Sequence, residues 1–109
     1  MQLSGWQMGE SKMLTGKQRS KLKGIANGLS PVVSIGKSGL TPTVIKSIDD
    51  YLTANEILKC NILEGAKLDA KETCNAVAQE LGAEFVQAIG RRFVLYRQAK
   101  DPEKRKIEL

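Results

Sequence analysis

Three stretches of helical periodicity, each opened by a capping residue, are separated by apolar runs too short to be anything but strands. No feature of this 109-residue chain constrains its fold more. From Thr15, an N-cap residue whose side-chain oxygen can accept from the first turn, Leu22, Ile25, Ala26 and Leu29 line one face at helical spacing. Gly28 is expected to supply a left-handed terminating turn, with Pro31 just beyond. Val32–Ile35 reads as a short buried strand. Thr41 caps a second helix with Pro42 in its first position, and Val44, Ile45, Ile48 and Leu52 form its stripe. Glu56–Leu63 is a strand with Leu58, Cys60 and Ile62 alternating on one face. After a loop at Glu64–Lys67, Asp69 caps a third helix that aligns Cys74, Val77, Ala78 and Leu81. Ala83–Ile89 and Arg92–Arg97 are two strands joined at Gly90-Arg91.

Strands separated by helices favour parallel pairing, and a tight final turn favours an antiparallel one. The expectation is therefore an α/β fold, an αβαβαββ sandwich with a mixed four-stranded sheet and no internal repeat. Residues 1–12, MQLSGWQMGESK, have no sustained period and are read as a flexible extension outside the fold, Trp6 included, with Met13 as a natural start. Residues 13–99 form the domain, and 100–109 a polar, basic tail.

Charge is unevenly placed. The net of +5 divides into +4 over residues 1–28, balance over 29–60, −3 over 61–90 and +4 over 91–109. If the two basic ends meet in the fold, they make one surface that attracts a polyanion; charge alone fits a solubilising role equally well. On the first helix, Lys17 and Lys21 flank the apolar arc on one side, Arg19 and Lys23 on the other. The chain has two cysteines and no histidine, so no metal site or cofactor is expected. Both thiols sit on apolar faces and are expected to be core residues, reduced in the cytoplasm. No apolar run reaches the roughly 18 residues of a membrane span.

The stretch SIGKSGLTP, residues 34–42, carries the sharpest functional question. A nucleotide-binding P-loop needs a glycine five positions before its Gly-Lys-Ser, and Pro31 stands there. Phe93-Val94-Leu95-Tyr96 matches the end of an RNA-recognition-motif signature, but only 13 residues follow, too few for the helix and strand that fold requires. That leaves Tyr96 as a stacking or rim candidate. Without histidine no acid/base constellation forms; Asp49, Asp50 and Glu56 read as the exposed side and end of the second helix. No enzyme is expected. Gly36, Lys37, Ser38 and Gly39 can instead hold phosphate: glycines admit close approach, the following helix start offers free amides, and Lys37 adds charge. A GxxG loop of this kind clamps nucleic-acid backbone in KH domains, where it joins two helices rather than a strand and a helix. A plain turn is the competing reading.

Taken together, LTGKQRSKLKGIANGLSPVVSIGKSGLTPTVIKSIDDYL, NEILKCNIL and VQAIGRRFVLYR resemble the CRM (chloroplast RNA splicing and ribosome maturation) domain, in particular the stand-alone bacterial YhbY-like proteins. The resemblance covers residues 13–109. It implies a fold similar to the C-terminal domain of translation initiation factor three, and RNA as partner, with the ribosomal RNA of the large-subunit precursor as target. The GxxG loop of the family falls on Gly36, Lys37, Ser38 and Gly39, and its basic helix supplies Lys17, Arg19, Lys21 and Lys23. Arg91, Arg92 and Arg97 join the candidate RNA-binding set on charge alone. A cytoplasmic monomer with no membrane and no small-molecule substrate is expected, and a protein–protein adaptor on ribosomal particles is the alternative.

Overall fold

The computed structural model describes residues 14–107; the expectations for residues 1–12, Trp6 and Met13 lie outside the described residues. Three helices and four strands follow the expected order: α1 Gly16–Asn27, β1 Val33–Ile35, α2 Pro42–Asn55, β2 Ile57–Ile62, α3 Ala70–Leu81, β3 Glu84–Ile89 and β4 Arg92–Tyr96. The capping residues open each helix as their chemistry requires. Thr15 Oγ1 accepts from Gln18 N at 3.1 Å while Gln18 Oε1 accepts from Thr15 N at 3.1 Å, a reciprocal box. Thr41 and Asp69 accept from the third residue of their helices, at 3.2 and 3.0 Å.

Gly28 departs from expectation. It keeps right-handed geometry (φ −91°, ψ −1°) because α1 ends by tightening: Gly28 N donates to Ile25 O and Leu29 N to Ala26 O. Positive φ occurs instead at the ends of the other two helices: Gly82 closes α3 in the left-handed region (φ 63°, ψ 35°), and Glu56 closes α2 at φ 70°.

The sheet order is β1-β2-β4-β3. β1 and β2 are parallel, linked across the sheet by α2, and β4 lies antiparallel to both of its neighbours. Gly90, at φ 60°, takes the first position of the two-residue hairpin loop, a backbone state that glycine reaches without steric cost.

The two sheet faces are covered differently. Ile35, Cys60, Ile62, Phe93 and Leu95 face α2 and α3, meeting Ile48, Leu52, Cys74 and Val77 in the larger core cluster. Ile57, Val86, Val94 and Tyr96 face α1 and meet Leu22 and Ala26. β4 is thus apolar over most of its length because consecutive side chains enter opposite cores. Each fully buried Leu, Ile or Phe contributes about 1.5–3 kcal/mol.

The chain does not leave the fold at residue 99. Glu56 is fully buried, and its carboxylate accepts three backbone amides from the C-terminal segment: Ala99 at 2.7 Å, Lys106 at 2.6 Å and Ile107 at 3.0 Å. Ile107 packs beside α1 residues against the smaller core cluster. The C-terminal segment therefore returns to the face of the sheet that carries α1. The expectation that Glu56 is an exposed helix end fails here, since a carboxylate is tolerated inside when several N–H donors replace its water.

Candidate nucleic-acid interface

Three loops gather at one end of the sheet. Because β1 and β2 are parallel, Gly36–Gly39 after β1 and Leu63–Ala66 after β2 emerge together, tied by Leu63 N donating to Ile35 O at 2.9 Å. β4 begins opposite the end of β2, with Asn61 paired to Arg92, so the Gly90-Arg91 turn arrives at the same end. Arg91 Nη1 reaches Leu63 O at 3.4 Å.

Gly36–Gly39 is a tight turn closed by Gly39 N donating to Gly36 O at 2.9 Å. Gly39 has φ 72°, which disfavours any residue with a Cβ. Gly36 is under no such constraint, and a Cβ there would meet only Leu63 Cδ1 at an ordinary 3.8 Å. Folding therefore does not demand glycine at 36, whereas close approach of an external group would. Lys37 and Ser38 are exposed at the tip. The amides of Lys37, Ser38 and Leu40 have no hydrogen-bond partner among the described residues.

The start of α2 contributes less than the sequence suggests. Pro42 has no N–H, Val44 N is taken by Thr41 Oγ1, and Ile45 N donates to Thr41 O. Among the described residues, the unpartnered amides lie mainly in the loop, at Lys37, Ser38 and Leu40, against Thr43 alone in the first turn of α2. Sequence reasoning also missed Gly65. At φ 100° it turns the second loop, and a Cβ there would come within 3.3 Å of Lys37 Cε. The absent side chain leaves room for the Lys37 stem.

Lys37, Arg91 and Arg92 are exposed at this end of the sheet. Lys17, Arg19, Lys21 and Lys23 are exposed on α1, which lies on the face toward which Arg92 points by alternation with Val94 and Tyr96. Arg97 does not join them. Its Nη1 donates to Asp49 Oδ1 at 2.7 Å and Leu81 O at 2.9 Å; its Nη2 donates to Asp49 O at 3.0 Å and Thr53 Oγ1 at 2.9 Å. That guanidinium binds the C-terminal parts of α2 and α3 to the end of β4, leaving those donors none to offer a phosphate. Asp49, expected on an exposed helix side, is its partner.

Tyr96 is likewise withdrawn from any rim. It is 3% exposed, and its hydroxyl is buried without a hydrogen-bond partner. Burial pushes its pKa up, the charge of Glu56 adds to the rise, and Arg105 opposes it. Cys60 and Cys74 are free thiols in the core. Burial pushes both up to about 12, with Cys74 adding to the shift at Cys60. Thiolate chemistry is thereby suppressed. Among the described residues no cluster of side chains is suited to hold a metal ion, and no helix is long and apolar enough to cross a membrane.

This geometry has relatives. A family model described as the CRS1/YhbY (CRM) domain matches residues 14–97. A Bacillus subtilis protein named "Probable RNA-binding protein YqeI" is 36% identical over 97 residues, 89% of this chain and 99% of its own length. A Haemophilus influenzae protein named "RNA-binding protein" is 40% identical over 97 residues, 88% of this chain and 94% of its own length. The solution structure of SAV1595 from Staphylococcus aureus superposes with a TM-score of 0.72 at 35% identity, covering 88% of this chain and all of that one. By a family match spanning both core clusters and the three gathered loops, the chain belongs to the CRS1/YhbY (CRM) domain family.

Proposed function

We propose that this chain is a non-enzymatic RNA-binding protein that holds ribosomal RNA through the Gly36–Gly39 loop and the adjoining basic surface and assists assembly of the large ribosomal subunit. The observation that carries the reading is the loop itself: exposed, unpartnered amides and a lysine beside a glycine that the fold does not require. Donors of this kind suit a phosphate oxygen, and the nearby arginines add affinity by releasing counterions. Two relatives named as RNA-binding proteins support RNA as the polyanion. The reading takes the protein as a cytoplasmic monomer.

The test is binding of purified protein to ribosomal RNA across a salt series, beside the Gly36→Asp/Gly39→Asp double variant, with circular dichroism to verify folding. Salt-dependent binding by the parent, lost in the folded variant, is the expected result. Equal binding by both would move the site away from the loop to α1 and the tail. Absence of binding by either, with binding to a folded acidic protein instead, would replace this reading by that of an adaptor.

A further inference from the structure

The face of the sheet that carries α1 is covered only in part. Lys59 marks the border: its Nζ donates to Leu29 O at 3.0 Å, just past the end of α1. Beyond it, one row crosses all four strands in register, with Ser34 paired to Asn61, Asn61 to Arg92, and Arg92 to Ile89. Alternation places the row on α1's side, since Cys60, Phe93 and Ala88 all turn to the α2–α3 core. Ser34 and Arg92 are exposed, Asn61 is partly so, and Ile89 is 69% exposed, the most of any large apolar residue described. No side chain of the row makes a hydrogen bond or ion pair among the described residues. Four adjacent strands span about 14 Å, and the Gly36–Gly39 loop begins two residues after Ser34.

We propose that this row is the platform on which the bases of single-stranded RNA lie while the loop holds the backbone, an inference that rests on the RNA-binding reading above. Charge selects a polyanion, because the row and its end of the sheet carry Arg92, Arg91 and Lys37, and no acid is in the row. Chemistry selects unpaired bases. Ser34 and Asn61 each offer a donor and an acceptor, which can meet the Watson–Crick edge of a base only where no second strand occupies it. Ile89 presents an apolar surface to the face of a base at the open edge of β3. In a protein with few aromatics, an aliphatic platform takes the place that aromatic rings fill in other single-strand binders. Sequence preference arises here, in neutral side chains, whereas the loop and lysines supply affinity without it.

The experiment measures binding of a short, fluorescein-labelled single-stranded RNA of mixed sequence, and of the same RNA as a duplex, over a salt series. Asn61→Ala and Ile89→Ser are compared with the parent; both positions are solvent-facing, and circular dichroism verifies the fold. Each variant is expected to weaken single-strand binding about threefold to tenfold, with an unchanged slope of log affinity against log salt, because no charge is removed. Ile89→Tyr is expected to tighten it, since a ring stacks better than an aliphatic chain. Parent-like single-strand binding by the two weakening variants would overturn the platform and leave the RNA-binding reading standing. Equal weakening on the duplex would overturn the assignment to unpaired bases. Failure of the parent to bind either RNA would overturn both readings together.

Discussion

Glu56→Ala should detach the C-terminal segment and cost the domain a large part of its stability. Hydrogen bonds to a charged group contribute about 1.5–3 kcal/mol each, so three would sum to roughly 5–9 kcal/mol if every donor were stranded. They are not all stranded. Lys106 is exposed and Ile107 half-buried, so their amides can turn to water, whereas the Ala99 amide, in a residue only 9% exposed and three positions past β4, remains inside. One unrelieved donor at about 1–3 kcal/mol, plus the net worth of two bonds to charge at about 3–6 kcal/mol, gives at least about 4 kcal/mol before the lost packing of Ile107. For a domain of this size that corresponds to a fall in Tm of at least about 15–20 °C. Glu56→Gln preserves the volume and lets one oxygen keep Lys106 and Ile107, but turns an NH2 toward the Ala99 amide; about 2 kcal/mol is expected. Thermal unfolding followed by circular dichroism gives the shift, and tryptic cleavage after Arg105 reports release of the segment. A Tm for Glu56→Ala within about 3 °C of the parent, or an unchanged cleavage rate, would refute the latch.

Arg97→Ala should cost about 2–4 kcal/mol by stranding partners on two helices, while the salt slope of RNA binding by the folded fraction stays as in the parent. Lys37→Ala should do the converse, leaving Tm unmoved and reducing that slope by about one counterion; an unchanged slope would remove Lys37 from the phosphate site. Tyr96→Phe, which deletes a buried hydroxyl with no partner, should leave stability equal or raise it by up to about 1 kcal/mol, measurable by urea unfolding. The native state retains thiol protons at Cys60 and Cys74 up to about pH 12, which an unfolded chain with the ordinary value of 9.0 releases earlier. Their contribution is intact below the unfolded value and is lost as pH rises through the folded one. A Cys60→Ala/Cys74→Ala variant should therefore lose less stability than the parent over that alkaline range, by urea titration, and native parent protein should resist thiol reagents.

Local chemistry made the framework readable. Thr15, Thr41 and Asp69 open the three helices because a short polar side chain beside free amides caps a helix whatever surrounds it. The Gly36–Gly39 turn is equally local. Where the reading fell short, the deciding partner is distant in the chain. Arg97 looks like one more exposed cation until its bonds to Asp49, 48 residues away, are formed. Glu56 looks like a helix end until residues 99–107 return to it. Tyr96 looks like a stacking ring until α1 covers it.

The sequence by itself determined the order and kind of the elements, the caps, the loop and the uneven charge, since each depends on neighbours within a turn or a strand. Only the tertiary structure decided which cations remain for a ligand, which carboxylate is buried, and that Ser34, Asn61, Arg92 and Ile89 form one row. Strand order and register are properties of pairings between remote segments, and hydrophobic burial selects them collectively rather than residue by residue.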